Sequence, residues 1–352
     1  MQSLLMGGVV VIACIVFPIL ALLNIRVPNT QASTSLFSKD ASNYFKGISA
    51  VLIFLAHIVQ YFAEYGMNYP SILKVFEPCG GMGVLLFFFL SGYGLFIGYG
   101  TKMPGIDYWK KRFMGMYLPY IFMKSVVYLC RFLLFKKSFP LSELLIGLFY
   151  GDWFICVILA EYVLFFLVRR LDAILNRKEG KGVGKAFWIM LFTANVALGC
   201  LYYILHYNAR WYNGLLLFPV GMVCAQYSEK LSGAFKNHSW LWTAFFAAVF
   251  CVTGFVFTKF KGAVWADLVK MLSGVFLSLL VATVNNFVCF GSAVMRAIGK
   301  RSLYVYIIHT SILYLFIDPR YPVFGFYILL ISTIILTEVF YRFFQSGFFK
   351  RH

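Results

Sequence analysis

Charge is scarce in this chain, and negative charge is the scarcest. Of 352 residues only 12% are charged, 13 acidic against 31 basic, while 61% are hydrophobic. A soluble domain carries about 25% charged residues, so a water-soluble fold is excluded and a polytopic membrane protein is expected. Eight cysteines are scattered, with Cys130, Cys156, Cys200, Cys224 and Cys251 in apolar runs. No pair has metal-ligand spacing, so they read as small membrane-core residues, with no metal site and no disulfide framework. Internal repeats, inverted half-to-half symmetry and low-complexity segments are missing. The longest polar stretches, about 27–44 and 170–185, are too short to bury a core of their own. The net charge of +18 falls in short loops between apolar spans, which argues against nucleic acid as a partner.

What the chain has is apolar length. A bilayer crossing needs about 20 residues, and eleven segments qualify: 4–24, 46–66, 81–99, 113–135, 152–169, 186–206, 211–227, 240–258, 264–284, 300–317 and 323–345. The stretch 141–150 reads as a half-helix or interfacial piece leading into the fifth span. The first segment has no basic residue before it and Arg26 after it, so it reads as an extra N-terminal spanning helix with its N-terminus outside, not a signal peptide. With that topology, 21 of the 31 Lys and Arg residues fall in cytoplasmic loops, seven (Lys74, Lys136, Lys137, Arg210, Lys259, Lys261, Arg320) fall on the opposite side, and three (Lys124, Arg131, Lys270) fall inside spans. This positive-inside bias puts the C-terminus in the cytoplasm. The expected fold is all-α: a polytopic membrane helix bundle in the cell membrane, with ten helices plus the extra N-terminal one. The boundaries are 1–25 for the extra helix, 26–45 for a cytoplasmic linker, 46–346 for the transmembrane domain and 347–352 for a cytoplasmic tail. An aromatic content of 20% suits lipid-facing surfaces and interfacial belts.

Polar residues inside such spans are costly and mark functional sites by default. His57 lies midway along an apolar helix, eleven residues after Lys46. Eleven steps of about 100° return nearly to the starting angle, which sets the two on one face about 16 Å apart in height. Glu64 falls on nearly the same stripe. A cation, an imidazole and a carboxylate on one face suit chemistry or transport; the plainer reading is an imidazole bonded to a polar neighbour within a bundle. Glu161 is a mid-span carboxylate about 13 Å deeper than Asp152, with His57, Lys124, Arg131 and Lys270 as candidate partners. Ser302, Tyr306 and His309, spaced i, i+4, i+7, share a helix face. Structural hydrogen bonding and substrate contact are both open to them.

Taken in order, these segments resemble acyltransferase family 3, integral-membrane enzymes that acylate, most often O-acetylate, cell-surface carbohydrates and related acceptors. The resemblance runs from about Tyr44 to Phe344. It rests on the Lys46-to-His57 helix, where the family has arginine, ten residues, then histidine. It continues in Phe87-Phe-Phe-Leu-Ser91-Gly92 and in Lys110-Lys111-Arg112, where Gly115 replaces a second arginine. Then follow Asp152-Trp153-Phe154 with Glu161, and Gly299-x-x-Ser302-x-x-x-Tyr306-x-x-His309. Gly92 and the Phe218-Pro219-Val220-Gly221 turn are assigned to packing.

The resemblance implies a ten-helix core that uses acyl-CoA, with acetyl-CoA expected, as co-substrate and holds no bound cofactor. The partners it implies are a carbohydrate or glycolipid acceptor and membrane lipid. The chain is expected to be a member without the appended extracytoplasmic domain that some of the family carry, which leaves room for a separate extracytoplasmic partner. His57 would be base or transient acyl carrier, oriented by Glu64 or Glu161. Lys46, Lys111 and Arg112 would hold the donor, and Ser91, Trp153, Ser302, Tyr306 and His309 would serve as acceptor or structural polar contacts. The alternatives are a transporter exporting an envelope glycan or glycolipid precursor, against which the missing repeats count, and a noncatalytic partner in envelope polysaccharide assembly.

Overall fold

The computed structural model describes residues 2–27, 35–136, 138–176, 182–316 and 322–345. Part of the linker expected over 26–45, the tail 347–352, and Lys137, Arg177, Lys178, Lys181, Arg320, Lys350 and Arg351 lie outside the described residues. Among the described residues the chain is helical, without a strand; Arg26 and Cys289 form one isolated backbone bridge.

The helices are α1 Leu4–Leu22, α2 Lys39–Glu64, α3 Phe76–Tyr99, α4 Ile106–Leu134, α5 Leu141–Tyr150, α6 Trp153–Asn176 and α7 Lys185–Ile204. After them come α8 Leu217–Gln226, α9 Ser228–Lys236, α10 Ser239–Lys259, α11 Val264–Phe287, α12 Ala293–Lys300, α13 Ser302–Phe316 and α14 Pro322–Gln345. Starts follow local chemistry. Ser38 Oγ accepts from the Ala41 amide at 3.1 Å and opens α2, and Ser292 Oγ accepts from the Met295 amide at 3.3 Å and opens α12.

Among the described residues eight helices are long and apolar enough to cross a membrane, and α5 with α6, bent by 60°, passes the same test only as a pair, as a broken span or a re-entrant loop would. The multi-pass helical bundle is therefore as expected, with two differences. The segments 211–227 and 300–317 yield shorter helices, α8 and α13. Ten-residue α8 extends only about 15 Å, because Asn208 caps a tight turn over Ala209–Trp211 and the helix begins only at Leu217. Seven of its ten residues are buried, so it is enclosed by protein and has no need to match the bilayer.

Burial separates inner from outer helices. Within the most apolar 18-residue stretch of each span, 67% of α2 and 72% of the span that contains α3 is buried inside the protein, against 17% of α1 and 6% of α10, whose surfaces are left largely uncovered. The extra helix α1 rests on α14, where Tyr327 Oη donates to the Leu5 carbonyl at 2.7 Å.

Two glycine-lined crossings hold the centre together. A Cβ on Gly92 of α3 would collide with the Phe218 carbonyl of α8, and one on Gly221 of α8 with the Phe89 carbonyl of α3. In the same way Gly47 of α2 abuts the Met295 carbonyl and Gly299 of α12 abuts the Asn43 carbonyl. Close backbone approach through small residues is how helices associate where lipid gives no hydrophobic drive.

Candidate active site

The apolar run around His57 places the imidazole in the last third of α2, seven residues before its C-terminal end, where it is half-buried. Its Nδ1 lies 2.9 Å from Nε2 of His309 on α13, and the rings are 5.1 Å apart. His309 is buried, and its Nδ1 lies 2.6 Å from the Val305 carbonyl one turn back. A carbonyl can only accept, so His309 Nδ1 carries a hydrogen. With both rings neutral, His309 Nε2 is then an acceptor, His57 Nδ1–H donates to it, and the lone pair of His57 falls on Nε2. Two imidazoles thereby fix one tautomer at this position. Phe54 and Tyr306 pack edge-on against His309 at 5.5 and 5.8 Å and hold its ring plane.

One turn along the α13 face from Ser302, Tyr306 donates its hydroxyl to Asp152 Oδ1 at 3.1 Å. The same oxygen accepts from the amides of Phe154 and Ile155 at 3.1 and 3.3 Å, so Asp152 is the N-cap of α6 at the α5–α6 bend. The shared face of Ser302, Tyr306 and His309 is therefore real. Ser302 and Tyr306 line a cavity, Tyr306 reaches the α6 cap, and His309 reaches His57.

Three cavities meet around these groups. The first, about 280 Å³, is lined by Lys46, Ser91, Lys111, Arg112, Gly115 and Ser302 among others. The second, about 360 Å³, includes His57, Lys124, Arg131, Asp152, Trp153 and Arg210. The third, about 490 Å³, includes His57, Trp153, Arg210, Lys261 and Lys270. They are called here the Lys46, Arg131 and Lys270 cavities. Tyr306 lines all three, and His57 lines both of the cavities beyond it.

In the Lys46 cavity Arg112 is held by aromatic faces. Its guanidinium carbon lies 4.2, 4.9 and 5.1 Å from the ring centres of Tyr108, Tyr99 and Tyr162. Tyr108 Oη in turn donates to the Tyr162 carbonyl at 2.7 Å, fixing the cage. Lys111 is exposed at the cavity mouth, 5.9 Å from the Tyr99 ring centre. Just after Arg112, α4 runs through a π-helical turn over Phe113–Tyr117, a distortion common at functional sites. Gly115 lies in this turn beside open space.

The structure brings together Lys46, Ser91, Lys111, Arg112, Ser302 and Tyr306 at one cavity, and His57, Trp153 and Tyr306 at the others. It does not bring the two carboxylates to His57. Glu64 is exposed at the C-terminal end of α2 and lines none of the three cavities. Glu161 is fully buried, faces Asn195 of α7 and also lies off the cavities. The expectation that Glu64 or Glu161 orients His57 is corrected at the level of geometry: the side chain against His57 Nδ1 is His309, from α13. Lys124, Arg131 and Lys270, candidate partners for Glu161, line the other two cavities instead.

Sequence reasoning missed two groups, Arg210 and Gln60, both of which line the two cavities that contain His57. Arg210 was visible as a cation on the side opposite to the bias, and Gln60 as a polar residue one turn beyond His57. The cap role of Asp152 was also legible in Gly151-Asp152-Trp153, an Asp directly before a helix.

No curated protein and no solved structure matches the chain. The sequence model of the acyltransferase domain in acyltransferase family 3 does match, over residues 39–342 of 352, a stretch that contains every side chain of the three cavities described above. The chain belongs to acyltransferase family 3 and is a membrane acyltransferase.

Proposed function

We propose that this enzyme moves an acyl group, acetyl in the first instance, from acyl-CoA to a hydroxyl of a cell-surface carbohydrate or glycolipid, with His57 as general base. The donor's phosphates bind Lys46, Lys111 and the caged Arg112, and its thioester reaches toward His57. Along α2 that reach is about 16 Å, which suits a long, narrow arm such as pantetheine. The acceptor enters through the Arg131 and Lys270 cavities, which share His57. In the loops the charge bias supports a cytoplasmic Lys46 end, a cytoplasmic C-terminus and an acceptor reached from outside, in the cell membrane.

His57 Nε2 takes the acceptor hydroxyl's proton as that oxygen attacks the thioester carbonyl. Collapse of the tetrahedral intermediate breaks the C–S bond, and the imidazolium returns the proton to the departing CoA thiolate. Ser91, Ser302 and Tyr306 lie along the donor's path as hydroxyl contacts, and Trp153 offers an aromatic face to a sugar. The observation that carries this reading is the His57–His309–Val305 chain, which leaves a directed lone pair where the cavities meet.

General-base catalysis contributes about 10²- to 10⁴-fold. His57→Ala should therefore lower acyl transfer by about 10²- to 10⁴-fold with the protein still inserted. The assay is purified protein with labelled acetyl-CoA, following CoA release and label on carbohydrate. Wild-type turnover in His57→Ala would overturn the assignment.

A further inference from the structure

The cations that break the positive-inside bias gather in one place. Seven basic residues lie on the sparse side and three inside spans; of these ten, five (Lys124, Arg131, Arg210, Lys261 and Lys270) line the Arg131 and Lys270 cavities. Among the described residues Asp152 is the one carboxylate lining either cavity; its Oδ1 serves Tyr306 and two amides, and its charge also acts on Lys124. Asp267, close by on α11, accepts from Asn213 Nδ2 at 3.0 Å and from Tyr212 Oη at 3.4 Å, and its charge acts on Lys270 without a close ion pair, so five cations face two carboxylates. Among the described residues none of the five cations forms an ion pair within 4.0 Å. Lys124 and Lys270 instead lie 5.8 and 5.4 Å from the ring centres of Tyr120 and Phe257.

A cation set in a span is costly unless something needs it there. Cations of one sign in a cleft with low-dielectric walls focus their field on whatever enters, and Arg supplies a fork that matches phosphate or carboxylate. Lipid headgroups do not account for them, because Lys124, Arg131 and Lys270 line two cavities within the bundle, both of which His57 shares.

We infer that the acceptor is anionic: a glycan bearing phosphate or carboxylate groups, received by these five cations so that a neighbouring hydroxyl meets His57. This rests on the proposed acyl transfer and names the class of its acceptor. Arg131 and Lys270, one from each cavity, would set the preference.

The test uses the full-length protein in nanodiscs of neutral phosphatidylcholine with labelled acetyl-CoA. Three acceptors of equal length are compared: a neutral hexose oligomer, a hexuronate oligomer and a hexose oligomer substituted with phosphoglycerol. At least one anionic acceptor should show kcat/KM ten or more times that of the neutral one. The hexuronate arm identifies carboxylate recognition, the phosphoglycerol arm phosphate recognition, and either supports the inference. In the Arg131→Gln/Lys270→Gln double variant the anionic-to-neutral ratio should fall toward one, through acceptor KM. That ratio is internal to each preparation, so partial misfolding does not imitate it.

Equal kcat/KM for the three acceptors, or an unchanged ratio in the double variant, would overturn the inference while leaving acyl transfer intact. Turnover that rises with added phosphatidylglycerol but ignores acceptor charge would assign the cations to lipid and also overturn it. Loss of all CoA release, with and without acceptor, would sink acyl transfer itself and the inference with it.

Discussion

At the scale of single residues the site turns on a pair of imidazoles. His57 was legible because a mid-span histidine in an apolar helix stands out, and His309 because it repeats at i+7 from Ser302. Their contact was not legible: 252 residues separate them, and no local pattern encodes a meeting across that distance. The carboxylates expected as orienting groups lost that place because helical spacing shows which residues share a face, but not which face another helix covers. Under the proposed mechanism His309 is a positioning residue, and its variants should separate chemistry from folding. His309→Ala leaves His57 Nδ1 without its acceptor, so kcat should fall about tenfold to a hundredfold, by analogy with loss of the partner that orients a metal-bound histidine, with KM for acetyl-CoA within a factor of two. His309→Gln offers an amide oxygen to the same Nδ1–H and should recover part of that kcat. Steady-state kinetics of both variants check this; equal losses in Ala and Gln would mean that His309 serves packing alone.

At the scale of helices the sequence showed number and order well and length less well. Apolar runs marked every spanning helix, because lipid demands about 20 residues of them. The shortness of α8 and the bend between α5 and α6 depend on turns at Asn208–Leu216 and Gly151–Asp152, where the apolar character hardly dips. The glycine crossings make a sharper test of how α2, α3, α8 and α12 hold the cavities open. Gly299→Ala drives a methyl against the Asn43 carbonyl at the α2–α12 contact, and overpacking of this kind costs about 1–3 kcal/mol. Gly98→Ala on α3 meets open space, and replacing a helical glycine by alanine is favourable by about 1 kcal/mol. Thermal unfolding in detergent should therefore show Gly299→Ala melting below the wild type and Gly98→Ala at or above it. Because α2 carries both Lys46 and His57, Gly299→Ala should also lose activity before it loses its fold.

At the scale of the whole molecule, the bundle sets two kinds of cavity on either side of one tyrosine. The Lys46 cavity opens among Lys46, Lys111 and Arg112, the other two open toward Arg210, and Tyr306 lines all three. His57 stands about 16 Å up α2 from Lys46, a distance that would carry it near the middle of a hydrocarbon layer about 30 Å thick if Lys46 marks one edge. A donor and an acceptor that approach this point along one route would compete for the same volume, whereas approach from opposite ends lets each fill its own cavity. The arrangement therefore predicts vectorial transfer. In sealed proteoliposomes of uniform orientation, membrane-impermeant acetyl-CoA and a membrane-impermeant oligosaccharide should react when presented on opposite sides, the donor at the Lys46 end. With both reagents on one side, label on the oligosaccharide should fall at least tenfold, and detergent should restore it. Equal labelling from one side alone would show that both substrates share an entrance, and the division of labour among the cavities would have to be redrawn with His57 at a dead end instead of a crossing.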